Sequence, residues 1–271
     1  MRFSNFIPAA TLALMCLSTA QAELIVGGAL YQYLSLGIPN VPDGTEQYLE
    51  SETGPIEVSD SREKSDSGIS GSYFAQADYG VVRIKTVATG RAGGWAAGAQ
   101  SFAQANDYIT VFGAPEGATL RAVIALEGWG NDTGGDSAYL SSNWMGFAQT
   151  HGSGPNCAQP IGRLNGQVSV LCETYVSVEN GASYYLPMHL AGSSESHGTT
   201  MILDFSHTAR LQSLGVYDAT GNLLNDVTIQ TASGTVYPTA SAVPEPSSFA
   251  VVAGALALAV YRRVRSASNA G

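Results

Sequence analysis

Gln167 to Glu179 reads QVSVLCETYVSVE, and its periodicity decides the fold. Val168, Val170, Cys172, Thr174, Val176 and Val178 share one face. Gln167, Ser169, Glu173, Ser177 and Glu179 share the other, where Leu171 and Tyr175 interrupt the polar set. A helix would scatter the valines around its girth, so a period of two predicts a half-buried strand. The same alternation recurs to either side. Leu120, Ala122, Ile124 and Leu126 alternate with Arg121, Val123, Ala125 and Glu127, and Met201, Leu203 and Phe205 alternate with Ile202 and Asp204. Turn signals stand at Pro115-Glu116-Gly117, Asn165-Gly166, Glu179-Asn180-Gly181 and Asp218 to Asn222. Ala96 to Ala105, rich in Ala and Gln but bounded by glycines, fits either a helix or a strand. Short strands punctuated this way predict an all-β protein whose domain, residues 72–240, is an antiparallel β-sandwich or jelly roll.

Upstream, Leu24 to Leu36 is apolar and supplies an early strand. Glu50 to Gly71, ESETGPIEVSDSREKSDSGISG, has only Ile56, Val58 and Ile69 as aliphatic residues. Such a stretch buries little, so residues 23–71 are expected to be one strand followed by a mobile polar loop.

The chain has 271 residues, enough for one sizeable domain or two small ones. Only 13% are charged and 31 are Gly, which disfavours a solvent-exposed helical bundle. The formal net charge of −10 excludes a nucleic-acid partner, since a polyanion needs a basic face.

Both ends read as addresses. Residues 1–22 have the order of a signal helix: Arg2, an apolar stretch from Phe3 to Leu17, then Ala20-Gln21-Ala22 with small residues at Ala20 and Ala22, leaving Glu23 first in the mature chain. Cys16 is preceded by Met15, which departs from a lipobox. At the other end, residues 241–248 form a linker holding Pro244-Glu245-Pro246. Phe249 to Tyr261 then runs 13 residues without a charge, and Arg262, Arg263 and Arg265 follow in a basic tail, residues 262–271. At about 1.5 Å per helical residue the run spans about 20 Å, short of the roughly 30 Å hydrocarbon core. The arginines would stay cytoplasmic. A short transmembrane helix of this kind suits a temporary stop during export better than a permanent anchor.

The order from Val243 to Arg265 resembles the PEP-CTERM sorting signal, over about a tenth of the chain. Ser266 to Gly271 continue past the point where such tails usually stop. The resemblance implies recognition of Pro244, Glu245 and Pro246 by an exosortase, a membrane-embedded processing enzyme of Gram-negative bacteria that make exopolysaccharide. It also implies an inner-membrane-anchored precursor that passes to the cell surface or matrix. Thr199 to Leu224, through Asp204-Phe205-Ser206 and Asp218 to Gly221, is similar to the closing part of the jelly-roll bodies that precede such tails. Loss of both ends removes four of the 12 basic and one of the 22 acidic residues, leaving a net charge of −13. Such a surface is repelled by acidic polysaccharide unless divalent cations bridge the two.

In an exported chain Cys157 and Cys172 are expected to form a disulfide. A hairpin turning at Asn165-Gly166 would set them diagonally across it, and a four-residue turn from Arg163 would set them opposite. No catalytic motif is present: there is no HExxH, no GxSxG and no phosphate-cradling loop. Glu195-Ser196-His197, with His207, reads as a solvated loop ahead of a metal site. Glu127 to Phe147, EGWGNDTGGDSAYLSSNWMGF, is the richest stretch chemically. Asn131, Asp132 and Asp136 offer oxygens that suit Ca2+, and Trp129, Tyr139 and Trp144 offer flat faces for sugar rings. The alternative is a polar turn joining two strands whose tryptophans fill the core. These features predict a non-catalytic structural or adhesive protein of the cell surface or of a biofilm exopolysaccharide matrix. A calcium-assisted carbohydrate-binding module is the second expectation. The third is a polysaccharide hydrolase drawing its acids from Glu127, Asp132 or Asp136.

Overall fold

Thirteen strands account for the regular structure of the described residues of the computed structural model, which are 21–34, 47–64, 68–92, 95–133, 135–147 and 162–240. In chain order they are β1 Glu23–Leu34, β2 Gln47–Ser51, β3 Ile56–Lys64, β4 Ile69–Asp78, β5 Val81–Thr89, β6 Trp95–Phe112 and β7 Thr119–Asn131. There follow β8 Ser137–Met145, β9 Gly162–Arg163, β10 Asn165–Ser177, β11 Ser183–Ser196, β12 Thr200–Tyr217 and β13 Thr228–Thr231. All pairings are antiparallel. One sheet runs β2-β1-β6-β11-β8-β9, with β13 also on β6, and the other runs β10-β7-β12-β5-β4-β3. The chain divides into two units at Pro238/Thr239, and all but Thr239 and Ala240 of the second lies outside the described residues. Residues 1–20 of the expected signal segment, the linker from residue 241, the apolar run 249–261 and the arginine tail are likewise outside them.

The deciding stretch behaves as its period demands. On β10, Thr174 and Val176 are buried, as is Val178 just beyond it, and Val168 and Cys172 pack against the core. Leu171, 67% exposed, and Tyr175 point outward. Leu120, Ala122, Ile124 and Leu126 of β7 and Met201, Leu203 and Phe205 of β12 are all buried. Ala96 to Ala105 resolves as part of β6, which sends Ala97, Ala99, Ala103 and Ala105 inward. With so many alanines facing inward, the two sheets pack closely. Where a larger side chain must fit, the facing position is glycine. A Cβ on Gly28 would lie 2.2 Å from the Tyr73 ring, and one on Gly192 would lie 2.1 Å from Leu203.

Four expectations are corrected. Glu50 to Gly71 is not a single loop, because its described residues, 50–64 and 68–71, hold the end of β2, all of β3 and the start of β4. Ile56, Val58 and Ile69 are the residues that pack or bury, and backbone pairing to β4 does the rest, so an edge strand needs few apolar residues. The sandwich therefore begins at β1, with Leu24 and Val26 in the core, rather than at residue 72. Asn165-Gly166 is not a hairpin turn: Arg163 pairs with Tyr139 in one sheet, and Asn165 pairs with Asn131 in the other. Gly166, at φ +114°, eases a crossing between sheets with the same residues that would suit a hairpin. Ser193 to Ser196 is strand, not loop. Ser194 and Ser196 are buried, and the Ser194 and Thr86 hydroxyls meet across the sheets at 2.7 Å.

Candidate functional site

The stretch expected to form one site is divided among three places. Trp129, 37% exposed, stands on the outer face of the β7 sheet, so it does not fill the core. Tyr139, 36% exposed, pairs with Ser193 and stands on the outer face of the other sheet. The backbone of Trp144 is in β8, opposite His189. Asn131, Asp132 and Asp136 lie at the connection between β7 and β8, where they tie neighbouring turns together. Asn131 accepts from the Ile202 N–H and donates to the Thr200 carbonyl. Asp132 pairs with Arg163 at 3.7 Å.

Asp136 is buried and accepts from four donors. Its Oδ1 takes the His197 N–H at 2.8 Å, and its Oδ2 takes the Ser196 hydroxyl at 3.0 Å and the Thr199 N–H and hydroxyl at 3.1 and 2.7 Å. These oxygens brace the β11–β12 turn. Among the described residues no group of three or more His, Cys, Asp or Glu side chains is placed to hold a metal ion. His197 pairs with Glu195 at 3.2 Å at the exposed end of β11. His189 is half-buried, and burial pushes its pKa down. His151 and the His207 side chain lie outside the described residues.

Burial works against the charge on Asp136. The hydrogen bonds from Thr199, His197 and Ser196 outweigh it and hold the carboxyl below its ordinary 3.8. A folded pKa below the unfolded one means that the unfolded chain takes up protons first as the pH falls. This stabilisation is therefore complete above pH 3.8 and is lost on acidification through the folded pKa. Asp204 behaves alike, with burial outweighed by hydrogen bonds from Lys85 and Ser206. Thermal melts between pH 7 and pH 3 are thus expected to show falling stability below about pH 4. Asp136→Asn should cost about 2 kcal/mol at pH 7 and flatten that acid limb, since its charge-assisted bonds are gone.

Among the described residues two recesses are candidate binding sites. The first, of about 410 Å³, is on the outer face of the β7 sheet and is lined by Glu127, Trp129, Gln167, Ser169 and Asp204. It brings together two carboxyl groups that are far apart in sequence, but Asp204 is held by Lys85 at 2.7 Å and accepts from Ser206. Held ionised by Lys85 and Ser206, Asp204 serves there as a hydrogen-bond acceptor. The second, of about 430 Å³, is on the outer face of the other sheet beside Tyr48, Gln100 and Phe102. Nothing in the local spacing of those three residues marks them, because β2 and β6 bring them together from distant segments.

Cys172 is disulfide-bonded, while Cys157 lies outside the described residues. In comparisons with known proteins, no family model matches the chain, and no curated protein or solved structure is significantly similar to it.

Proposed function

We propose that this chain is exported, sorted through its PEP-CTERM tail by an exosortase in a Gram-negative bacterium, and released to a structural or adhesive, non-catalytic role at the cell surface or in an exopolysaccharide matrix. The observation that carries this reading is the division of the chain. The sandwich closes at Pro238, and the Pro244-Glu245-Pro246 triplet, the short apolar run and the arginines all follow beyond it. A folded body thereby ends before the segment to be processed, and cutting the tail removes none of its strands.

The other end supports cleavage before Glu23. β1 starts at that residue, although Ala22 is itself buried in the core. The Glu23 carboxyl is pushed up by its hydrogen bond with Glu50, by burial and by the nearby charges of Glu50 and Glu52. A new ammonium group at Glu23 would relieve that crowding of acids. From β5 to β12 the chain crosses between the sheets at every connection except β8 to β9, which supports a jelly-roll-like description of the body. Pairing of Cys172 with Cys157 would be in keeping with an oxidising compartment.

Peptide mapping of the protein recovered from its native host tests this proposal at both ends. The mature chain should begin at Glu23 and lack Arg262, Arg263 and Arg265. A digest run without reductant should contain a peptide joining Cys157 to Cys172. Recovery of the arginine tail in surface or matrix material would overturn the sorting assignment.

A further inference from the structure

The outer face of the β2-β1-β6-β11-β8 sheet carries two parallel rows of side chains. Pairing places Tyr48, Gly27, Phe102 and Ala191 side by side in one row, and Ala29, Gln100, Ser193 and Tyr139 in the next. The row between them, Gly28, Ser101 and Gly192, belongs to the inner face. Ser101 is buried, and the two glycines are met from inside by Tyr73 and Leu203. The strip between the outer rows is therefore floored by bare backbone, and the recess of about 430 Å³ lies there.

From Tyr48 on β2 to Ser193 on β11 the lining crosses three strand intervals, about 14 Å at ~4.8 Å each, and Tyr139 on β8 stands one strand beyond it. That length suits a short run of linked sugar rings. Phe102 packs against Gly27, where a Cβ would sit 2.4 Å from the ring. Tyr48 stands 6.2 Å from Phe102 at an interplanar angle of 43° and is 58% exposed. One end of the trough thus presents aromatic surface and the middle presents the exposed Gln100 amide. Tyr139 stands exposed beyond the other end, beside Ser193. Aromatic faces stack on the C–H faces of sugar rings, and an amide both donates to and accepts from hydroxyls. The lining holds no charged side chain among the described residues. Glu50 stands near Tyr48 at one end, and Arg163 pairs across from Tyr139 at the other. A mature chain of net charge −13 repels acidic polymers.

We propose that this trough binds a segment of uncharged polysaccharide, without a metal ion. The proposal rests on the matrix role only for where the ligand is met. Binding is measured in vitro, so sorting and binding can fail separately.

The test is native gel electrophoresis of the full chain in mild detergent, through gels containing dextran, β-glucan, galactomannan or, as the acidic arm, alginate. Each gel is run with and without EDTA. Retardation is expected in at least one neutral gel, unchanged by EDTA and by Trp129→Ala on the opposite face. Tyr48→Ala and Gln100→Ala should each weaken it about tenfold, the equivalent of about 1.4 kcal/mol. Their melting temperatures should stay within a degree or two of the parent. If either variant misfolds, Tyr139→Ala decides with the same expected direction. The proposal is overturned by passage unretarded through every neutral gel, by retardation in alginate alone, or by sensitivity to EDTA or to Trp129→Ala. Retention that survives the trough substitutions overturns it as well.

Discussion

Replacing Phe205 with alanine is expected to lower the free energy of unfolding by about 4 kcal/mol, the range for removing a fully buried aromatic side chain. Phe205 is wholly buried, and its ring lies over Gly128 of the neighbouring strand, where a Cβ would sit 2.3 Å away. The ring fills the space that the missing side chain leaves, so its loss opens a cavity whose glycine wall has nothing to move inward. Since most domains are stable by only about 5–15 kcal/mol, the melting temperature should fall by roughly 10 °C. A coupled pair sharpens the test. Gly128→Ala alone should cost about 1–3 kcal/mol by overpacking. In the Phe205→Ala background the added methyl enters vacated space, and most of that cost should vanish. Denaturant unfolding of the four proteins measures the coupling, and simple additivity would show that the two residues do not share this space. Leu171→Ala, on the outer face, should change stability by less than about 0.5 kcal/mol.

Asp107→Ala is expected to cost about 3 kcal/mol, by a different mechanism. Asp107 is only 2% exposed, yet its carboxylate gathers four donors. Oδ1 accepts the Tyr108 and Ser233 N–H groups at 2.8 and 3.1 Å, and Oδ2 accepts the Ser233 and Tyr237 hydroxyls, each at 2.6 Å. Burial, and after it the Asp107 charge, pushes the Tyr237 phenol far up, so it remains a donor across the working pH range. The node clamps the segment after β13 onto β6, and the Leu214 N–H then holds the Pro238 carbonyl at 2.8 Å. Removing the carboxylate leaves buried donors unpaired, each costing about 1–3 kcal/mol. Tyr237→Phe, which loses one hydroxyl, should cost about 1 kcal/mol. Limited proteolysis adds a local readout: cleavage within residues 232–240 should accelerate in Asp107→Ala well before the rest of the body is cut. An unchanged cleavage rate there would show that the clamp is not what closes the sandwich at Pro238.

Some of this architecture was legible from neighbouring residues alone. Gln167 to Glu179 and Leu120 to Leu126 alternate cleanly because one face of each strand meets the core and the other meets water. Other strands were hidden by their chemistry. β3 offers few apolar residues because an edge strand is held through its backbone, which leaves no mark on composition. The end of β11 reads as a polar loop because its inward residues are serines. Ser194 is satisfied by Thr86, and Ser196 by Asp136, a pairing visible only once distant strands meet. Asn165-Gly166 carries the residues of a turn, and a crossing between sheets requires the same ones.

Trp129 and Tyr139 are close in sequence and both exposed, yet the chain crosses from one sheet to the other between them and sets them on opposite outer faces. Tyr48 and Gln100 are far apart in sequence, yet β1 and β6 bring them to one trough. The order of residues alone therefore determined the all-β character of the body, its main core faces and the addresses expected at its two ends. Each of those depends on short-range periodicity or on runs of composition. Tertiary structure alone decided which exposed side chains share a surface and which polar groups satisfy one another, because both depend on the register of strands paired across long sequence separations.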